Sequence, residues 1–495
     1  MEDRVLYKSY LDKVMTAEQA ALFIKDNMFV GTSGFTKSGD SKAVLPAFAK
    51  RAETEDVAIT LVTGASLGQT TDTDLANNNA LRKRMPFQLD VSLRGKINDG
   101  SILFIDQHLS ETAEMMNNQH LPKLDIAIIE ATYVDEQGNI IPTTSVGNSA
   151  TFARLADKII IEINSVIPKS FKGIHDVYVP EEYPNRTPFN VTHTATRIGN
   201  DVIKVDPSKV IGVVFTQLTD SHAAETEPDE TTSAIADHLL TFFNKEISEG
   251  RLTKSLMPLQ AGIGKVANSV LSGLAKGDFE NLTMYSEVLQ DSTFELLDSG
   301  KMTVASASSL TVTQKCYNYL LENFDQYKDK IVLRPQNISN SPEIIRRLGV
   351  IAINTAIEFD IYGNVNSTHI SGNKMMNGIG GSGDFARNAY LSIFVAPSVS
   401  KENKISHVVP MVSHTDHTEH DVDILVTEQG LADLRGLAPR ERAQVIIDNC
   451  IHPEFKEQMS DYFARAVERG GHTPHLIEEA FQWHINLKNT GSMKK

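Results

Sequence analysis

Short apolar runs alternate with segments of helical spacing along most of this chain. DVAITLVTG (56–64), SILFIDQHL (101–109), LDIAIIEAT (124–132) and ADKIIIEIN (156–164) are rich in Val, Ile and Leu with few interruptions. That is the pattern of short strands buried on both faces. Between them, TAEQAALFIKDN (16–27) and SKAVLPAFAKRAE (41–53) place apolar residues three and four apart, which predicts helices with one buried stripe. IKDNMFVGTSGF (24–35) reads as a helix end, a strand and a glycine turn. The same grammar returns in VIGVVF (210–215), VIAINTA (350–356), ISHVVPMV (405–412) and DVDILVTEQ (421–429), all strand-like. Residues 231–247, 263–277 and 439–452 have helical spacing. Strands alternating with helices predict an α/β fold around largely parallel sheets.

A chain of 495 residues exceeds what one core ordinarily organises. The polar, proline-containing stretch Thr219–Glu230 is the natural linker, which predicts domains at 1–225 and 226–495. A weak internal repeat points to related halves. IAIIEATYVDEQGNI (126–140) aligns with IAINTAIEFDIYGNV (351–365), so that Asp135, Gly138 and Asn139 fall on Asp360, Gly363 and Asn364. ADKIIIE (156–162) also resembles VDILVTE (422–428). Chance similarity of two apolar strands followed by D-x-x-G-N turns is the competing explanation.

Composition removes several function classes. The 63 acidic against 47 basic side chains give a net charge of −16, the opposite of a nucleic-acid footprint. An anionic substrate then needs a local group of lysines or backbone N–H donors. Cys316 and Cys450 are too few and too far apart for a disulfide framework or a zinc site. The charged start MEDRVLYKSYLDKVM lacks the apolar core of a signal segment, and no apolar run reaches membrane-span length. A cytoplasmic protein with no membrane and no nucleic-acid partner is the expectation.

Five segments carry candidate chemistry. Glu287 sits in MYSEVLQD, where a carboxylate by itself is most simply a surface or structural residue. NGIGGSGDFARNAY (377–390) sets Gly378, Gly380, Gly381 and Gly383 before a helical run, a loop whose N–H groups can approach a ligand or an oxyanion, or simply a tight turn. Its G-x-G-x-x-G string lacks the preceding strand that dinucleotide binding requires. LQAGIGKVANSVL (259–271) is either a flexible helix start or a second loop-to-helix anion edge, and GTSGFTKSGDSKAVLP (31–46) has the same shape. SHTDHTEHDVD (413–423) carries His414, His417 and His420 among acids. The spacing fits no familiar zinc pattern, so loop-shaping hydrogen bonds are favoured over a metal site.

Together these strings resemble the acetyl-CoA hydrolase/transferase family of class I CoA-transferases. The resemblance rests on GTSGFT (31–36), PLQAGIGKVAN (258–268), YSEVLQD (285–291), EFDIYGNVNSTH (358–369), NGIGGSGDFARNAY (377–390) and VPMVSHTDHTEHDVDILVTEQGLADLRGL (409–437), in order along nearly the whole chain. It implies two similar open α/β domains with the active site between them, and a homodimer. It implies Glu287 as catalytic glutamate, Asn340 of ISNSPEI beside the reacting carbonyl, and the Gly381 N–H as an oxyanion donor. Coenzyme A, a substrate with no tightly bound cofactor implied, would lie along Pro258, Leu259, Gln260, Ala261 and Gly262, with Asn377, Gly381 and Lys401. Several relatives that use succinate resemble one another in having Asp-Arg where this chain has Asp220-Ser221, so a monocarboxylate such as acetate, propionate or butyrate is at least as credible an acceptor as succinate.

The chemistry suits a lone carboxylate. A glutamate is ionised at neutral pH and attacks a thioester without a general base, so no Ser-His-Asp or Cys-His set is required. The expected activity is transfer of CoA between small carboxylic acids. Hydrolysis of acetyl-CoA at the same site is the alternative within the class, and a non-catalytic acyl-CoA-binding protein the alternative outside it.

Overall fold

The computed structural model describes residues 2–225 and 227–494; Thr226, inside the polar stretch 219–230, lies outside the described residues. The chain divides into two compact units. One takes residues 1–225, 284–294 and 303–348, and the other 226–283, 295–302 and 349–495. Glu287 and Asn340 therefore belong to the first unit, and Gln260, Asn377, Gly381 and Lys401 to the second.

The first unit is built on β1 (Phe29–Thr32), β2 (Ile59–Val62), β3 (Leu81–Met85), β4 (Leu103–Phe104), β5 (Ile126–Ala131), β6 (Lys158–Asn164) and β7 (Val210–Thr216). Their order is β4-β3-β2-β1-β5-β6-β7, and every pairing is parallel. All of β5, and all of β6 after Lys158, is buried, which is why both strands are near-continuous Ile runs. Helix α1 (Val44–Arg51) lays Leu45 and Phe48 into a core with Val30, Leu61, Ile126 and Ile160. Strand order reverses between β1 and β5. The loops leaving their carboxyl ends stand where α/β sheets open a crevice.

The second unit contains β8 (Leu259–Ala261), β9 (Ile351–Thr355), β10 (Leu391–Val395), β11 (Ile424–Thr427) and β12 (Gly430–Asp433), in the order β8-β9-β10-β11-β12. All pairs are parallel except the closing β11–β12 hairpin. Its core joins Phe394, Leu425, Ile446, Phe455 and Trp483. Trp483, the one tryptophan of the sequence, is 3% exposed and lies 5.1 Å from the Phe455 ring.

The first repeat is structural. β5 and β9 begin at Ile126 and Ile351, the aligned positions. After each, an aspartate closes the same turn. Asp135 accepts from the Asn139 N–H and amide, and Asp360 from those of Asn364. Gly138 and Gly363 adopt φ of 86° and 96°, a conformation side chains other than glycine rarely take. The second match is corrected by topology. β6 lies beside β5, but β11 lies one strand beyond the neighbour of β9. β10 occupies the equivalent place, entered from helix α5 (Ser382–Asn388) as β6 is entered from α2 (Ser149–Leu155). Buried parallel strands share one composition, so a short match cannot tell them apart.

Two expected strands are shorter than their apolar runs. In 101–109 only Leu103 and Phe104 pair, at a sheet edge with Leu103 61% exposed. In 405–412 the strand breaks into Ile405–Ser406 and Val408–Val409, because the Ser406 hydroxyl turns back onto Val408. No helix among the described residues is long and apolar enough to cross a membrane.

Candidate active site

Glu287 occupies the bend between strand Leu282–Tyr285 and strand Val288–Leu289. From Met284 to Gln290 it is the one residue that is not buried. Its backbone is fixed: the Glu287 carbonyl accepts from the Ser308 N–H at 2.9 Å, and the following residues pair in parallel with Ser309–Leu310. Val288 packs on Phe35, Ala65 and Leu109, so the loops after β1 and β2 back the glutamate segment within this unit. The hydroxyls of Thr36 and Ser309 are 3.0 Å apart and Ser38 donates to the Leu310 carbonyl, tying the loop after β1 to the same turn.

Asn340 follows the short helix Gln336–Ser339 and is fully buried. Its amide donates to the Gln336 carbonyl and the Ser339 hydroxyl, each at 3.0 Å, while Oδ1 is buried with no partner. Both amide hydrogens are thus engaged, and donation to an oxyanion requires release of one of these contacts. Gln336 is a further residue of this corner that the sequence reading passed over. Its Nε2 donates to the Leu109 carbonyl and its N–H to the Gly147 carbonyl. A Cβ on Gly64 would stand 2.3 Å from the Gly34 carbonyl and 2.8 Å from Gln336 Oε1, so the close approach of these loops demands glycine there. Nothing in the composition of RPQNISN marks Gln336; only the contacts do. Arg334, fully buried, anchors the segment by pairing with Asp176 and donating to Ser306 and to the Thr194 and Thr196 carbonyls.

Beneath the loop after β1 lies a buried ion cluster. Lys42 Nζ is 2.6 Å from Glu130, 2.8 Å from Asp220 and 3.6 Å from Asp40. Burial opposes the charge of Lys42, yet Asp220, Glu130 and Asp40 outweigh it and hold the ammonium well above the usual lysine value. Burial pushes the Asp40 carboxyl up to about 6 and that of Glu130 up to about 7. Asp220, considered above for acceptor choice, is 3% exposed and bridges Lys42, the Gly39 N–H and the Thr144 hydroxyl. Ser221 accepts from the Gln69 N–H in the loop after β2.

In the second unit, β8 brings Leu259, Gln260 and Ala261 into the sheet, all buried. Gln260 Nε2 donates to Asn354 on the adjacent β9, and its Oε1 is buried without a partner. Pro258 and Gly262, at the two ends of this strand, are partly exposed. Gly264, at φ 131°, opens helix α4 (Lys265–Lys276).

The glycine-rich loop is preceded by the hairpin His369–Ile370/Lys374–Met375, not by the strand a dinucleotide fold needs. Asn377 donates to the Ser367 and Gly378 carbonyls, Gly380 has φ 63°, and Gly381 is the buried N-cap of α5. The histidines nearby diverge. His417 is 2% exposed against Phe394 and contacts Ser382. His414 lies on the His369 ring and pairs with Asp416, and His420 is exposed. Among the described residues no group of three His, Cys, Asp or Glu side chains is arranged to hold a metal ion. Asp416 and Glu358 organise the region: Asp416 accepts from the Ser367 N–H and Thr368 hydroxyl, and Glu358 from Asn366 and Ser413. Lys401 is exposed at φ 51° in the turn between Val399–Ser400 and Ile405–Ser406.

Comparison with known proteins settles the relationship. Residues 1–215 match the acetyl-CoA hydrolase/transferase N-terminal domain and residues 313–463 the C-terminal domain. The chain belongs to the acetyl-CoA hydrolase/transferase family. It is 48% identical to the succinyl-CoA:acetate CoA-transferase of Clostridium kluyveri, over 100% of this chain and 92% of that protein. It is 45% identical to the propanoyl-CoA:succinate CoA transferase of Escherichia coli, over 97% and 98% of the two. It is 43% identical to an acetyl-CoA hydrolase of Yarrowia lipolytica, over 100% and 98%. The crystal structure of RipA from Yersinia pestis shares the fold, with TM-score 0.73 at 20% identity, covering 94% of this chain and 99% of that one. The protein is thus an α/β enzyme of the CoA-transferase and acetyl-CoA hydrolase group.

Proposed function

We propose that this enzyme transfers CoA between small carboxylic acids, acetate with succinate, propionate or butyrate, through a glutamyl-CoA thioester on Glu287. The observation that carries the reading is the setting of that residue: a partly exposed carboxylate on a hydrogen-bonded turn whose neighbours are all buried. It lies in a chain 48% and 45% identical to two proteins named as CoA-transferases.

In this reading a Glu287 oxygen attacks the thioester carbonyl, and the C–S bond breaks to give an acyl-glutamyl anhydride and CoA thiolate. The thiolate attacks the glutamyl carbonyl, the anhydride C–O bond breaks, and the first acid leaves as a carboxylate. An incoming carboxylate reverses both steps, so no proton changes hands overall. Each addition develops an oxyanion, for which the Gly381 N–H and the Asn340 amide are the assigned donors; one such donor is worth ~3 kcal/mol. The CoA moiety is assigned to Pro258–Gly262, Asn377, Gly381 and Lys401, and its remote binding energy offsets the cost of the anhydride. Since Leu259, Gln260 and Ala261 are buried, the strand ends at Pro258 and Gly262 are the parts of that segment suited to contact it.

The yeast relative named as a hydrolase favours a second reading, with water as final acceptor at the same glutamate. Two measurements decide. Glu287→Ala is expected to abolish turnover while keeping the wild-type circular dichroism, and full activity would defeat the assignment. CoA release from acetyl-CoA is expected to rise strongly, with ping-pong kinetics, on adding succinate, propionate or butyrate; release unaffected by any acid would make it a hydrolase.

A further inference from the structure

His417 and Ser382 form a two-step hydrogen-bonded brace on the glycine-rich loop. The Ser382 hydroxyl, on the first residue of α5, donates to the Ile379 carbonyl at 2.9 Å. His417 Nε2 lies 3.1 Å from the same hydroxyl oxygen. A hydroxyl carries one hydrogen; with that hydrogen on the Ile379 carbonyl, Nε2–H is the donor to Ser382. The imidazole is itself packed into the interior. It is 2% exposed, its ring lies 4.7 Å from that of Phe394 on β10, and its backbone exchanges hydrogen bonds with Val365. The run His417 to Ser382 to Ile379 therefore ties the turn Ile379–Gly381 to the core of the second unit. Gly380 has φ 63° with no side chain to hold it in place, so the turn depends on such external ties.

We infer that His417, acting through Ser382, is a positioning residue that aims the Gly381 N–H. The inference rests on the proposed role of that N–H as oxyanion donor. Neither side chain is required to touch substrate. Losing the brace leaves the loop in place but lets its N–H drift from the direction in which charge develops. Such misalignment lowers kcat more than it weakens ground-state binding.

The test compares His417→Leu, His417→Gln, Ser382→Ala and the Leu/Ala double variant of the full-length enzyme. Steady-state kinetics are combined with the single-turnover rate of acyl-CoA-derived label appearing on the Glu287 peptide by mass spectrometry. His417→Leu and Ser382→Ala should each lower kcat by about tenfold to a hundredfold with KM for acyl-CoA changed by no more than about threefold. The double variant should be no slower than the slower single, because one chain of bonds is being cut. His417→Gln, which keeps a donor, should regain most of the rate. Lowered thermal stability with wild-type kcat, or losses that multiply in the double variant, would overturn the inference. Should His417→Leu not fold, Ser382→Ala carries the test alone. Wild-type enzyme that forms no Glu287 adduct removes the underlying mechanism and the inference with it. A wild-type adduct formed equally fast by the variants removes the inference alone.

Discussion

Replacing Lys42 by methionine deletes the cation that pairs with Asp40, Glu130 and Asp220, all of them buried. Breaking a buried pair by removing one partner ordinarily costs ~3–5 kcal/mol, because the other charge is left unpaired. Here the carboxyls have an escape: two are already pushed up to about 6 and about 7 with the ammonium present, and without it they hold protons more tightly still. The sign follows from linkage. The Lys42 proton is present in both states of the wild type and cancels. On the carboxyls the folded variant binds more protons than the folded wild type while the unfolded chains bind alike, so the variant's stability falls faster as pH rises. For one extra proton the cost grows by ~1.4 kcal/mol per pH unit. Hydrogen exchange of the β1 and β5 amides, read by mass spectrometry at pH 7.5 and 5.5 and corrected for intrinsic rates, measures this locally. Protection at the higher pH should drop by about two to four orders of magnitude, and the deficit should shrink at the lower. Protection within about threefold of wild type at pH 7.5, or a deficit independent of pH, would refute the reasoning.

Two further outcomes follow from other contacts. Gly64→Ala must push a methyl group against the Gly34 carbonyl and Gln336 Oε1. Overpacking of this kind costs ~1–3 kcal/mol, and a shift of the helix leading to Asn340 should lower kcat by on the order of a hundredfold. Melting curves and steady-state rates check both, and an alanine variant with wild-type kcat would contradict the packing argument. His175 is buried, lies 2.8 Å from the Thr143 carbonyl through Nε2, and is driven by burial down to about 4. The unfolded chain takes a proton on this side chain below about 6.5 and the folded one does not, so stability present at pH 7 is lost as pH falls toward 4. From pH 7 to 5 the loss from this group is ~2 kcal/mol. His175→Gln should lose correspondingly less in urea titrations at the two pH values, and parallel losses would exclude the effect.

The sequence showed the fold where burial is uniform. Strands β5 and β9 are legible because every residue but one must be apolar or hydrogen-bonded in the interior, and the shared Asp-Gly-Asn turn follows from local chemistry alone. Legibility fails where a neighbour decides. The run 405–412 is apolar throughout, yet one serine hydroxyl bends it. ADKIIIE and VDILVTE look alike, yet the first strand lies beside β5 while the second is separated from β9 by β10. Glu287 was read through its family motif, since S-E-V by itself has no chemistry that distinguishes it from a surface segment. Asp416 makes the loop-shaping hydrogen bonds expected of the 413–423 segment, whereas Gln336 and the Lys42 cluster carry no sequence signal. Their partners are tens to hundreds of positions away, at Leu109 and Asp220, and only folding brings them to hydrogen-bond distance.

Trp483 adds a practical consequence. The only indole of the chain is sealed into the 349–495 core beside Phe455, so tryptophan emission is a private reporter of that half. An unfolding curve followed by fluorescence and one followed by far-ultraviolet dichroism watch different populations of bonds. Where the two curves part, the half carrying Glu287 has melted at a different denaturant concentration from the half carrying Gly381.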